Sequence, residues 1–212
     1  MKLAARALLV LPLACSAFGA NACAPRARAL QATEASAAVP QAHTAHSAPV
    51  SRAWAEALER PGLPNLHRVS PLLYRGAQPT GDGFHELARL GVKSVISLRA
   101  FHADQIPIDA GLKYERISFK SWHPEDEDVV RFLRLASDPA RQPVFVHCQW
   151  GSDRTGMMSA IARIVFEGWT KEEAIAEMTQ GDFGFHPLWK NLVQYLRDVD
   201  LERLARKSGI RK

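Results

Sequence analysis

The sequence predicts an α/β domain with a central, mostly parallel sheet flanked by helices. Three observations predict it. The apolar, β-branched runs VKSVISL (92–98) and PVFVH (143–147) have the composition of strands buried on both faces. Segments between and after them repeat their apolar residues at helical spacing and carry recognisable helix ends. Strands and helices alternate along the chain, the order that builds a layered parallel sheet.

The chain has 212 residues, 47% hydrophobic and 23% charged, which suits one domain with an appendage. The net charge of +5 fits anionic small substrates or a membrane surface. No dense basic stripe interleaved with aromatics is present, so nucleic acid is not an expected partner. Arg206, Lys207, Arg211 and Lys212 read as a solvated tail. The three cysteines, Cys15, Cys23 and Cys148, form neither a disulfide framework nor the paired spacing of a zinc site. No metal or cofactor is expected.

Residues 1–22 have the layout of a secretory signal. Lys2 and Arg6 give a positive start, an apolar run extends from Ala7 to about Ala20, and Ala20-Asn21-Ala22 offers small residues for cleavage. The run is short for a membrane span. Cleavage after Ala22 places Cys23 at the new N-terminus, a candidate lipid tether, although the leucine usual before a lipidated cysteine is missing. Either outcome exports the protein, to the periplasm or beyond, free or anchored. Residues 23–50 are rich in Ala, Pro, Ser and Thr and bury too little to offset their ordering entropy, so they read as a disordered linker. His43 and His46 within it lack a third ligand and a scaffold for a metal.

The folded domain, 51–212, opens with SRAWAEALER, where Trp54, Leu58 and alanines suggest a helix ended by Pro61-Gly62. Leu66–Val69 and Leu72–Tyr74 read as short extended pieces. Gly83–Leu90 reads as a helix, 92–98 as a strand and Gly111–Phe119 as another. Pro124–Ala136 is a predicted helix with four acids in its first turn, favourable to the helix dipole. Strand 143–147 is followed by a turn and a helix from Thr155 to about Glu167, then by a helix over Lys171–Thr179. GDFGFH (181–186) reads as a helix stop with Phe183 and Phe185 packed into the core. One long helix is expected from about Pro187.

The turn after strand 143–147 reads HCQWGSDRTG. In α/β sheets ligands bind outside the carboxyl ends of the strands. A strand-loop-helix also turns backbone N–H groups and the positive helix end toward the loop, an arrangement suited to phosphate. That field favours the thiolate of a cysteine placed there, Cys148, which can attack phosphorus. Arg154 can return a planar fork to the phosphoryl oxygens and stabilise their charge in the transition state. Gly151 permits a tight loop, and the Thr155 hydroxyl can assist the sulfur as it leaves. His147 is placed to orient the loop from behind. Gln149, Trp150, Gly151, Ser152, Asp153 and Thr155 then line the phosphate. The competing reading, a buried cysteine near an arginine by chance, does not explain the flanking strand, helix, glycine and Thr155-Gly156 together.

HCxxGxxRTG resembles the signature of the protein tyrosine and dual-specificity phosphatases. LYRGAQPT followed by GVKSVISLR is similar to the opening of compact bacterial and atypical members, and the likeness extends over roughly residues 66–200. It implies a dual-specificity-phosphatase-like fold, no metal, and hydrolysis of phosphate monoesters through a phosphocysteine, with Cys148 as nucleophile and Arg154 as phosphate clamp. It also implies an acid on a separate loop before the helix that precedes the cysteine strand. SWHPEDEDVV matches that place, where Glu125, Asp126, Glu127 and Asp128 compete. Asp126 is the choice, ahead of Asp104 and Asp109. Asp153 is the rival, as the acid or as a carboxylate that stiffens the loop through a backbone amide.

The expected substrates are phosphotyrosine proteins, with phosphoserine, phosphothreonine and small phosphate esters also open. Phosphoinositide or inositol phosphate phosphatases of this superfamily carry lysines in the loop, where this chain has Gln149 and Ser152. They remain an alternative, as does a non-catalytic phosphate-binding pseudophosphatase. Trp122 and Trp150 can wall an aromatic substrate. Arg75, Gln78 and Arg99 are open between a pocket lining and the surface. Oligomeric state is not legible.

Overall fold

The computed structural model describes residues 52–211. The signal-like segment 1–22, the linker 23–50, Cys15, Cys23, His43 and His46 lie outside the described residues.

Six strands form one sheet: β1 (Glu56–Ala57), β2 (His67–Ser70), β3 (Leu73–Gly76), β4 (Ser94–Ser97), β5 (Lys113–Arg116) and β6 (Val144–His147). Their order is β1-β2-β3-β6-β4-β5. The β3–β6, β6–β4 and β4–β5 pairings are parallel, while β1–β2 and β2–β3 are antiparallel. The mostly parallel sheet expected from the sequence is therefore present. β4 (SVIS) and β6 (VFVH) are buried along their whole length, as strands covered on both faces should be.

The period of two divides their side chains between two cores. Ile96, Val144 and Val146 face one core with helices α2 (Asp126–Ala136), α3 (Asp153–Glu167), α4 (Lys171–Gln180), α5 (Lys190–Asp198) and α6 (Leu201–Lys207). Val95 and Phe145 face the other core with Phe84 and Leu87 of α1 (Gly83–Arg89). Helix α3 lies deepest and is held crosswise by Arg163. Its guanidinium donates to both Glu177 oxygens, at 2.9 and 2.7 Å, and to the Val69 carbonyl at 2.9 Å. Gly168, at φ 68°, ends α3 in the left-handed conformation that glycine adopts without strain. Thr170 then opens α4 with a reciprocal capping box to Glu173.

Two expectations fail. No helix forms over 52–60. Glu56 and Ala57 pair instead with Arg68 and His67. Arg52 donates to the Glu167 and Gly168 carbonyls and the Ala55 amide to Glu177 Oε1, so tertiary contacts outweigh a short helical preference. The terminal helix is also not continuous. A 3-10 turn (Pro187–Trp189) leads into α5, Val199 is extended, and Asp200 restarts the chain by accepting from the Arg203 amide. The break lets Leu201 and Leu204 return to the main core.

Candidate active site

β6 delivers His147, the loop runs from Cys148 to Ser152, and α3 begins at Asp153. The loop thus lies between a carboxyl strand end and a helix N-terminus. Cys148 is 2% exposed, at the foot of the loop. Arg154, in the first turn of α3, is half-buried and donates to the Leu98 carbonyl at 3.1 Å, just past the end of β4. The Thr155 hydroxyl is fully buried without a hydrogen-bond partner.

Gly151 is required by two independent constraints. Its φ is 74°, and a Cβ there would meet the Gly76 carbonyl carbon at 2.5 Å and the Ala77 nitrogen at 2.6 Å. The loop therefore rests directly on the backbone that leaves β3. The Gln78 amide also donates to the Gln149 carbonyl at 3.3 Å.

His147, the last residue of β6, bridges the Cys148 carbonyl and Asp104. Its Nδ1 is 3.1 Å from the Cys148 carbonyl and its Nε2 is 2.7 Å from Asp104 Oδ2, with no solvent exposure on either side chain. Both partners are acceptors, so the ring donates to both only as the doubly protonated imidazolium. Asp104 in turn lies 3.8 Å from Arg99 Nη1. The Asp104 contact had no sequence signal beyond an acid after β4.

Asp153, at the start of α3, is bonded to His186. Its Oδ1 accepts from the His186 amide at 2.8 Å, and its Oδ2 lies 2.9 Å from His186 Nδ1. Residues 181–186 are thereby strapped to the loop. Asn65 Nδ2 adds to this by donating to the Trp150 and Phe183 carbonyls at 2.9 and 3.0 Å. Phe183 is buried and Phe185 packs against the main core, as predicted.

Asp126 is engaged by side chains of α5 and α6. Tyr195 Oη donates to its Oδ1 at 2.7 Å and Arg203 pairs with its Oδ2. The Tyr195 hydrogen bond first, then Arg203, hold its carboxyl below the usual carboxylate range. A general acid must hold a proton to deliver it, and this environment favours the charged form. The effect is reciprocal: burial first and Asp126 second push the Tyr195 hydroxyl strongly upward. Two residues on, Asp128 moves the other way. Burial, then the charge of Glu125, raise its carboxyl.

Arg75 also departs from expectation. It neither lines a pocket nor reaches the surface, but lies fully buried against the loop carbonyls. Gln78 accepts from Arg99 at 3.0 Å. Trp150 is 67% exposed on the loop. Trp122, 58% exposed, stacks on Phe101, 73% exposed, with ring centroids 6.3 Å apart and planes at 18°. Phe101 was missed, because a lone phenylalanine between a strand and a polar loop carries no motif.

Residues 62–191 match the family described as DSP-PTPase phosphatase fused to NAD+ kinase. The chain belongs to the dual-specificity and tyrosine phosphatases. It is 38% identical over 169 residues to the dual specificity protein phosphatase TpbA of Pseudomonas aeruginosa, covering 77% of this chain and 75% of that one. A crystal structure of P. aeruginosa TpbA superimposes with a TM-score of 0.65 at 34% identity, over 75% of this chain and 98% of that one. A cysteine-to-serine variant of TpbA in complex with phosphotyrosine matches equally well. As a member of this family the chain is a cysteine-based hydrolase of phosphate monoesters that works through a phosphocysteine.

Proposed function

We propose that this protein removes phosphate from phosphotyrosine in exported or surface proteins. The observation that carries the reading is a buried Cys148 on a loop that exposes Trp150, with the exposed, stacked Phe101 and Trp122 in the segments that follow the carboxyl ends of β4 and β5. A phosphoryl group must descend to reach the sulfur, and a phenyl ring then lies among apolar, flat side chains. The TpbA complex with phosphotyrosine supports the same substrate class.

The chemistry follows from the geometry. The Cys148 thiolate attacks phosphorus in line with the ester oxygen, forming the S–P bond as the P–O bond breaks. Loop amides, the α3 N-terminus and Arg154 take up the charge on the equatorial oxygens. The phenolate leaves with a proton. Water then attacks the phosphocysteine, breaking the S–P bond and releasing phosphate and thiolate, with the buried Thr155 hydroxyl available to the departing sulfur. Gln149, Ser152 and the Trp150 backbone complete the cradle.

Asp128 is the proposed proton donor, in place of Asp126. It belongs to the acidic head of α2 that follows β5, and its burial favours the protonated form. Glu125, 3.8 Å from His123 Nε2, is the alternative. Replacing Asp128 by Asn should lower kcat about 100-fold on alkyl phosphates, where the leaving group needs the proton. The loss should be smaller on aryl phosphates with acidic phenols. An equal loss on both would remove Asp128 from the role, and the same pattern in Glu125→Gln would transfer it there.

Hydrolysis of phosphotyrosine peptides by wild type and Cys148→Ser, with a chelator present, tests the main reading. Absence of turnover in wild type sinks it in favour of a binding-only protein. Loss on chelation sinks the metal-free route. Faster hydrolysis of inositol phosphates than of phosphotyrosine peptides would redirect the substrate. For residues 1–22 and Cys23, the N-terminal mass of exported protein distinguishes simple cleavage after Ala22 from a lipid-modified Cys23.

A further inference from the structure

Behind the catalytic loop lies a cation that the mechanism above does not use. Arg75 sits on β3 and is 1% exposed. Its Nη2 donates to the Gly151 carbonyl at 2.7 Å and lies 3.5 Å from the Ser152 carbonyl. The guanidinium carbon stacks 3.7 Å from the centre of the Phe183 ring, so the group is clamped between the loop and the strap. Its Nε is buried without a partner.

Such a group is poorly explained as structural packing. A buried cation is normally matched by a carboxylate, and the available one is engaged elsewhere: both Glu177 oxygens are held by Arg163. The charged or titratable groups that face Arg75 are His67 on β2, Cys148, Arg163 on α3 and Glu177 on α4. Burial pushes the Arg75 guanidinium down to about 10, while the charges of Glu177 and Cys148 push it back up.

We propose that Arg75 is a positioning residue for the phosphatase reaction: it draws the Gly151 and Ser152 carbonyls away from the phosphate, which turns the loop amides inward, and its charge favours the Cys148 thiolate. This rests on the phosphatase reading above. The two effects separate by substitution. Met keeps the apolar bulk against Phe183 and removes the charge. Lys keeps the charge and loses the planar fork that holds the carbonyls.

The test is the rate of Cys148 alkylation by iodoacetamide from pH 5 to 9, together with vanadate affinity and thermal unfolding. Arg75→Met should alkylate about tenfold more slowly than wild type at pH 6 and recover at pH 9. Arg75→Lys should alkylate near the wild-type rate at pH 6 but bind vanadate about tenfold more weakly. An Arg75→Met profile superimposed on wild type, with the fold intact, overturns the charge role. Unchanged vanadate affinity and kcat in Arg75→Lys overturn the loop role, and Arg75→Gln, which removes the charge but keeps a polar amide, takes the place of Arg75→Met in the alkylation series if Arg75→Met does not fold. Alkylation needs no turnover. A wild type that alkylates at pH 6 but hydrolyses no ester would therefore remove the phosphatase reading without touching the charge result.

Discussion

Gly151→Ala tests how closely the catalytic loop is seated. Alanine at φ 74° costs about 1–2 kcal/mol for the left-handed conformation alone. Its Cβ would also lie 2.5–2.6 Å from the backbone of Gly76 and Ala77, where ordinary contact begins at 3.4 Å. Those atoms belong to the end of β3, which is paired in register with β6 from Leu73 to Gly76, so they cannot swing aside as a flexible side chain would. The loop must then rise by roughly 1 Å, a displacement that typically lowers a positioned reaction about 100-fold. The assay is kcat and kcat/KM on an aryl phosphate, with vanadate affinity as a chemistry-free measure of the cradle. Both should fall, while Tm drops by only a few degrees, about 2–4 °C per kcal/mol for a domain of this size. A variant with kcat within threefold of wild type and unchanged vanadate binding would refute the close seating.

Glu177→Gln should destabilise the domain by about 1.5–3 kcal/mol, because Arg163 then keeps only Glu167 as a counter-charge; thermal unfolding reads this directly. Asp126→Asn should leave kcat within about twofold, since its partners are Tyr195 and Arg203. The folded Asp126 carboxyl is depressed, so its stabilisation is present above the ordinary value of 3.8 and fades as pH falls below it. Acid unfolding of Asp126→Asn should accordingly show a weaker pH dependence than wild type in that range. Asp104→Asn removes the charge that pairs His147; a loss of about 1.5–3 kcal/mol in stability is expected, with a fall in kcat of about tenfold as the Cys148 carbonyl loses its fixed donor. Full stability and activity in that variant would reduce the dyad to packing.

What was legible in the sequence was local. VISL and VFVH announced buried strands because their composition needs no partner to be recognised. The loop was legible because its function constrains ten consecutive residues. The environment of Asp126 was not legible, for the opposite reason. Four adjacent acids look alike in sequence, and what separates Asp126 from Asp128 is supplied by Tyr195 and Arg203, about seventy residues away. The first ten residues of the domain failed in the same way, since Arg52 and Ala55 are held by Glu167, Gly168 and Glu177.

Arg75 lies between these cases, and it shows where a charged residue in a strand can be read more sharply. In LYRG the period of two places Arg75 on the same face as Leu73, and Leu73 is a core residue. An arginine on the core face of a central strand requires a buried acceptor. Among the described residues the acceptors are carbonyls of the catalytic loop rather than a carboxylate. A structural arginine would leave this pattern unexplained, because Arg163 already shows how this fold neutralises one: two bonds to the Glu177 carboxylate and a third to Glu167. The difference between the two arginines is that only Arg75 abuts the loop that carries Cys148. Its charge, with no carboxylate bonded to it, is therefore tied to the loop where the reaction needs a thiolate.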